Sequence, residues 1–503
     1  MINTARGMMN RKSMRRTSPF IVHRSALILV MASLLIPLAG CGARRTPDLK
    51  RIFTQARKRE GKRPLIVIPG ILGSQLVNSR TGEIVWPSAI RSADDGLSLP
   101  VSADLKSNRD GLVPTKIVKT ARLLKFRIVP EVYVYQELID GLQFYGGYRE
   151  GDWNAPPPDG DRDAFYVFAY DWRRDNVENA RLLTTRIEEL KRKLNQPSLR
   201  FNIVAHSMGG LLARYAAMYG DADLPEGEAT ARPTWAGANS INNIFLFGTP
   251  NNGSMEAFAT LLGGYSITEG LRRRLPLLNK LSREDAVTIP ALFQLLPHDG
   301  AERFLDENLK SIKVDLYDPS VWQRYKWSAA NNADFRRRFE DGNTRADDPP
   351  QRGSLKALDA YFNEVIKRAK RFHEAINLTG SGESQVKIFV FGGDCEETLS
   401  AAVILKSKDG QGWTTLTEAR RIRISKERSI PRREVIDAMY EPGDGRVTRR
   451  SLLGLRSTNE NVALDSTLPI AYSYFACELH GDLQRNQTLQ DNALTLLVEQ
   501  VVK

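Results

Sequence analysis

The sequence predicts an α/β fold: a mostly parallel central sheet with helices on both faces, elaborated by large insertions. Three observations carry this. Short, continuous apolar runs recur along the chain, helical patterns lie between several of them, and two long polar intervals break the rhythm. Strands that are apolar throughout, rather than alternating, are buried on both faces, and a sheet covered on both faces by helices is typically parallel.

The runs are Pro64-Leu-Ile-Val-Ile68, Phe165-Tyr-Val-Phe-Ala-Tyr170, Phe201-Asn-Ile-Val-Ala205, Ile244-Phe-Leu-Phe247, Val386-Lys-Ile-Phe-Val-Phe391 and Ile470-Ala-Tyr-Ser-Tyr-Phe-Ala476. The first stops at the turn pair Pro69-Gly70. Between the second and third, residues 178–195 place Leu183, Ile187, Leu190 and Leu194 on one helical face. Residues 209–219 and 490–503 also read as helices. The polar intervals span 79–160 and 254–385. The second holds an aromatic stretch from Tyr317 to Trp327, an acidic segment from Asp347 to Pro350 and a basic helix from Leu355 to Ile376. Insertions of this length on an α/β sheet serve as caps or lids over a site. No internal repeat is present.

The chain has 503 residues, 42% hydrophobic and 26% charged, enough for a sizeable core that needs no disulfide support. A basic stretch ends at Arg24, and an apolar run follows from Ala26 to Ala39, too short to span a bilayer and suited to a signal segment. It closes with Leu38-Ala39-Gly40-Cys41, which resembles the lipobox of bacterial lipoproteins, where the cysteine is acylated and becomes the new N-terminus. The expected organisation is a signal peptide over 1–40, a lipidated tether over 41–62 and a catalytic body over 63–503. Arg15-Arg16 is a weak hint of a twin-arginine signal, since Thr17-Ser18-Pro19 follows it. Gly42 is not an acid, which by the sorting rules of two-membrane bacteria points to the outer membrane. Removing the six basic residues before Cys41 takes the net charge from +13 to about +7. No basic cluster is interleaved with stacking aromatics, so nucleic acid is not an expected partner.

The stretch Asn202-Ile-Val-Ala-His-Ser-Met-Gly-Gly210 joins a strand to a helix pattern through small residues. That context projects Ser207 above a sheet as a nucleophile, which a bare small-x-Ser-x-Gly match would not establish. Charge building on the attacked carbonyl oxygen needs backbone donors. The Met208 N–H is one expected donor. The turn Pro69-Gly-Ile-Leu-Gly73 supplies the other, with Ile71 first and Leu72 as fallback. A serine needs a base. Past Cys41 the histidines are His206, His298, His373 and His480. His206 adjoins the nucleophile, and the elbow should turn its side chain away. His373 lies on the basic helix and His298 in the insertion. His480 follows the last strand and precedes the last helix, where the base belongs. The acid is Asp394, directly after the strand ending at Phe391, or Asp444 in the turn Glu441-Pro-Gly-Asp-Gly-Arg-Val447. Spacing alone slightly favours Asp394. No metal or cofactor is expected.

Collinear pieces of the chain resemble the lecithin:cholesterol acyltransferase family. They are Pro69-Gly-Ile-Leu-Gly-Ser74 with Gln75-Leu76, Trp86, Tyr135-Gln-Glu-Leu-Ile-Asp-Gly-Leu142, Tyr170-Asp-Trp-Arg173, the Ser207 elbow, Gly248-Thr-Pro250 with Gly253-Ser254, Gly443-Asp-Gly445 with Val447, and His480. The resemblance implies an α/β-hydrolase fold and a serine-dependent hydrolase or O-acyltransferase acting on phospholipid or acylglycerol esters, with a membrane surface as partner. It moves the acid to Asp444 and supports Ile71 as oxyanion donor, although Arg446 stands where the family's turn usually has threonine. A carboxylesterase of non-lipid esters is the nearer rival. A catalytically inactive binding lipoprotein is the more distant one. Tyr170-Asp171-Trp172-Arg173 is expected to be structural. Cys395 and Cys477 end strands that should be neighbours, so they form either a disulfide bracing the acid and histidine loops or two reduced buried thiols. Leu271-Arg-Arg-Arg-Leu-Pro-Leu-Leu278 is either an interfacial lid or a packing face.

Overall fold

The computed structural model describes residues 60–87, 96–119, 135–157, 162–227, 229–266, 280–341, 354–378, 386–407, 412–456, 465–466 and 468–499. The signal and lipobox readings, the segment 271–278 and the acidic segment 347–350 lie outside these residues. Among the described residues, no helix is long and apolar enough to cross a membrane.

Seven strands make the central sheet: β1 (Leu65–Ile68), β2 (Arg149–Glu150), β3 (Ala164–Val167), β4 (Phe201–His206), β5 (Ile241–Phe247), β6 (Lys387–Gly393) and β7 (Ile470–Ala476). Their order is β7-β6-β5-β4-β1-β3-β2, and every pairing is parallel. Register aligns apolar residues across the centre, with Val67 beside Val204 and Val204 beside Phe245. On one face Phe245 stacks on Phe389 with centroids 4.6 Å apart, and Phe247 on Phe391 at 4.9 Å. Each apolar run of the sequence is a strand of this sheet. β2 carries no such signal because it is two exposed charged residues at the sheet edge.

The main helices are α1 (Asn176–Lys193), α2 (Gly209–Tyr219), α3 (Met255–Gly263), α4 (Leu355–Ile376) and α5 (Gln487–Val498). Asp175 caps α1 by accepting from the Glu178 N–H, satisfying a first-turn donor. Leu183, Ile187 and Leu190 are buried, and Leu194 sits just beyond the last turn. α2 is buried along its whole length beneath the elbow, and its one charged residue, Arg214, is satisfied by the Asn251 side chain and the Ile376 carbonyl.

The interval 79–160 contributes two strands, Ile84–Trp86 and Leu112–Ile117, that flank Ser74–Asn78 in a small antiparallel sheet. The interval 254–385 has its own aromatic core, in which Phe258 packs edge-on against Trp327 at 4.8 Å and Trp322 meets Phe293 and Phe362. That core draws on chain beyond 385, because Ala402–Lys406 pairs with Phe304–Leu305 in a four-stranded sheet. At the other end, the Gly61 and Lys62 N–H groups donate to the Asp163 carboxylate and the Lys62 ammonium lies 2.7 Å from it, so the folded body includes these residues.

Candidate active site

Ser207 stands at the carboxyl end of β4 with φ of 53°, a left-handed conformation that a serine adopts only when its surroundings impose it. Glycines make this geometry accessible. A Cβ on Gly209 would lie 2.5 Å from the Pro69 carbonyl oxygen, and one on Gly210 would collide with Thr249. The turn after β1 presses equally close, for a Cβ on Gly70 would lie 2.7 Å from the Ser207 Cβ. The Ser207 N–H donates to the Phe247 carbonyl at 2.7 Å, tying the elbow to β5.

The structure brings Ser207, His480 and Asp444 into one buried line. His480 Nε2 is 3.0 Å from Ser207 Oγ, and His480 Nδ1 is 2.8 Å from Asp444 Oδ2. Asp444 is fully buried. Its Oδ1 accepts from the Arg446 and Val447 N–H groups at 3.0 and 2.7 Å, so both carboxylate oxygens are occupied. Gly445 takes φ of 85° and donates its N–H to Thr398 Oγ1 at 2.8 Å, closing the turn. Arg446 enters that turn through its backbone N–H, a contact that does not depend on a threonine side chain there. The His480 N–H donates to the Asp444 carbonyl at 2.8 Å, which locks the histidine loop to the acid turn.

Asp394 is held elsewhere: it lies 3.7 Å from Arg449 and is partly exposed. Two antiparallel strands explain the difference. Glu396–Leu399 leaves the end of β6 and pairs with Tyr440–Gly443, which returns the chain and sets Asp444 beside Glu396. Cys395 and Cys477 form a disulfide between that departure point and the end of β7, three residues before His480. His298 and His373 lie in the insertion, stacked on each other with centroids 4.1 Å apart.

Ile71 and Leu72 line the cleft above Ser207 together with His480. Among the described residues, no hydrogen bond occupies the Ile71 or Met208 N–H. Ala257, Leu281, Leu292 and Leu295 make the walls of the cleft apolar. One charged pair interrupts that wall. Arg446 meets Glu256 at 2.6 Å and lies over the Tyr265 ring at 4.8 Å, a feature that single-residue reading did not find.

Behind the site, Arg173 is fully buried between Asp171 and Asp110, at 2.8 and 2.6 Å. Burial alone would lower its pKa, but these two carboxylates raise it above the ordinary value, so the guanidinium stays charged. Asp171 and Arg173 of that motif thus form a triad with Asp110, 63 residues before Arg173. Trp172 donates to the Ser74 carbonyl at 3.2 Å and meets Trp86 edge-on. His206 does not turn its ring away from the site: Nε2 lies 3.1 Å from the His480 carbonyl oxygen and Nδ1 2.9 Å from Tyr135 Oη.

Residues 161–348 match the family model of lecithin:cholesterol acyltransferase. That segment contains Tyr170–Arg173, the Ser207 elbow and Gly248–Pro250, so the resemblance read from the sequence is borne out there. No curated protein matches the chain. Among solved structures, the crystal structure of the Tle4-Tli4 complex aligns at 12% identity over 88% of this chain and 99% of that one, with a TM-score of 0.49. Lipase 1 from Pelosinus fermentans aligns at 10% identity over 88% and 100%, with a TM-score of 0.32. EstA from Clostridium botulinum aligns at 12% identity over 88% and 90%, with a TM-score of 0.31. With its parallel sheet, flanking helices and strand-to-helix elbow, the fold is of the α/β-hydrolase type.

Proposed function

We propose that this protein is a serine-dependent hydrolase or O-acyltransferase of lipid esters, working through Ser207, His480 and Asp444. The observation that carries the proposal is the continuous hydrogen-bonded line from Ser207 Oγ through both His480 nitrogens to the buried Asp444 carboxylate. With Nδ1–H donated to Asp444, the Nε2 lone pair faces the serine hydroxyl, which is the tautomer a general base requires. His480 takes the hydroxyl proton as Ser207 attacks the ester carbonyl, and Asp444 stabilises the imidazolium that forms. The Ile71 and Met208 N–H groups receive the oxyanion. His480 then protonates the leaving alcohol, and an acyl-enzyme remains. In the second half His480 activates water or an acceptor alcohol, which takes the acyl group and frees Ser207.

The apolar cleft over Ser207 suits an acyl chain, and the family match points the same way. A lipid anchor at Cys41 would hold the enzyme at its substrate's surface, facing the periplasm or the cell exterior. The reaction is tested by incubating the protein with phospholipid vesicles, with and without an added long-chain alcohol, and identifying products by mass spectrometry. Free fatty acid and lysolipid are expected, and a fatty ester in the alcohol arm assigns transfer. Intact vesicle lipid in both arms, alongside turnover of a water-soluble ester, would replace the lipid substrate with a non-lipid one. The anchor is tested by labelling cells with an alkyne fatty acid. The wild type should take up label and Cys41→Ser should not.

A further inference from the structure

Tyr135 and His206 are buried, can ionise and take no part in the steps above, yet His206 touches His480, and Tyr135 touches His206 and the Gly70 N–H next to Ile71. Tyr135 is fully buried. Its Oη lies 2.9 Å from the Gly70 N–H and 2.9 Å from His206 Nδ1. His206 Nε2 in turn lies 3.1 Å from the carbonyl oxygen of His480. The rings of His206 and His480 are 4.9 Å apart.

The protons along this line can be assigned from chemistry alone. A carbonyl oxygen only accepts, so His206 Nε2 carries a hydrogen and donates it. Burial first, and His480 second, push the His206 pKa well below its ordinary value, so the ring is neutral and Nδ1 is an acceptor. The Tyr135 hydroxyl must therefore donate to Nδ1, and burial holds it protonated by raising its pKa. That leaves a Tyr135 lone pair for the Gly70 N–H. Tyr135 and His206 each have one donor and one acceptor role in it, and the order runs one way: Gly70 N–H to Tyr135, Tyr135 to His206, His206 to the His480 carbonyl.

We infer that Tyr135 and His206 are positioning residues, a proton-ordered chain that ties the oxyanion turn at Gly70-Ile71 to the backbone of His480. The inference rests on the reading of Ser207 as nucleophile and His480 as base. The chain joins two loops that follow different strands, β1 and β7, which are not neighbours in the sheet. The sheet by itself does not fix the distance between an oxyanion donor and the base, and the chain does. A neutral His206 also matters, because His480 becomes positive in the transition state and a second cation 4.9 Å away would oppose it.

The test uses the whole folded chain and three variants: Tyr135→Phe, His206→Ala and His206→Gln. Phenylalanine removes both hydrogen bonds of the hydroxyl and keeps the ring. Glutamine carries an N–H as many bonds from Cα as Nε2, so it can still reach the His480 carbonyl. Two readings are taken on each: the rate and final fraction of labelling by a fluorophosphonate, and KM and kcat on a short-chain nitrophenyl ester. Tyr135→Phe and His206→Ala should label to the wild-type fraction but up to about 100-fold more slowly, as expected for a misplacement near 1 Å. KM should stay within a few-fold, and His206→Gln should recover part of the rate lost in His206→Ala. Wild-type rates in all three variants would overturn the inference and leave the nucleophile assignment standing. So would a lower labelled fraction at an unchanged rate, which is the mark of a merely structural role. A wild type that does not label would overturn both.

Discussion

Among the described residues, two pairs of buried histidines lie side by side, and the contrast between them bears on what fits an imidazole to act as a base. His206 and His480 lie 4.9 Å apart at the end of the sheet, and His298 and His373 lie 4.1 Å apart in the insertion. Proximity and burial are alike. The partners differ. His373 is saturated by the Tyr317 hydroxyl and the Gln294 carbonyl, at 2.6 and 2.9 Å. His298 meets Asn377 at 2.8 Å and the edge of Asp299 at 3.4 Å, and Asp299 is itself engaged by Arg456. Of these four, His480 alone has a fully buried carboxylate on one nitrogen and a hydroxyl on the other. A carboxylate on Nδ1 and a hydroxyl on Nε2 fit His480 to act as a base; His373, whose nitrogens meet a tyrosine hydroxyl and a backbone carbonyl, is fitted to hold the insertion together.

The largest expected effect breaks this comparison directly. His480→Ala should lower kcat by about four orders of magnitude or more, as loss of a triad base does. His298→Ala and His373→Ala should stay within about tenfold of wild type, their damage appearing instead as a lower melting temperature. Equal losses at 298 and 480 would erase the distinction. The same logic applies to the acids. Asp444→Asn should cost about 10⁴ in kcat by favouring the wrong tautomer, whereas Asp394→Asn removes only a contact to Arg449 and should leave kcat nearly intact.

Next in size is the ion-pair triad behind the site. Arg173→Met would leave Asp171 and Asp110 without their cation and should cost about 3–5 kcal/mol of stability in urea titration. The disulfide comes next. Cys395 and Cys477 close a loop of 82 residues, and reduction should lower stability by about 2–4 kcal/mol. Because the bridge ends three residues before His480, activity should fall at reductant concentrations that leave the far-ultraviolet circular dichroism unchanged.

The smallest effect sharpens the insertion pair. Burial is the first cause lowering the pKa of both His298 and His373; Asp299 opposes it at both and the Gln294 carbonyl at His373, while Arg214 and Arg456 add to the lowering at His298 and the neighbouring His298 adds to it at His373. Both are neutral when folded, so the unfolded chain takes up protons first as the pH drops through its ordinary value of about 6.5. Their stabilising contribution is complete above that pH and is lost below it, by up to about 1.4 kcal/mol per pH unit for each group. Unfolding free energies at pH 7.5 and 5.0 should therefore differ more in the wild type than in a His298→Asn, His373→Gln double variant.

The sheet was legible because its buried strands are continuous apolar runs, and Ser207 because a strand and a helix meet at it. His480 followed from chain order. What could not be read was anything fixed by distant chain. Asp110 reaches Arg173 across 63 residues, and Asp444 reaches His480 only because Glu396–Leu399 pairs with Tyr440–Gly443. Spacing, which counts residues after a strand, pointed to Asp394 for want of that hairpin-like return; the family resemblance supplied what spacing lacked. The elbow rule turned His206 away from the site in the sequence reading. It describes the direction of a side chain from its own strand and takes no account of a carbonyl arriving from β7.

The central claim, that Ser207 is the group acylated, is tested most directly by peptide mapping after fluorophosphonate treatment. One phosphonyl adduct per molecule, on the peptide containing Ser207 and missing in Ser207→Ala, is the predicted result. An adduct on another residue, or equal labelling of wild type and Ser207→Ala, would contradict it.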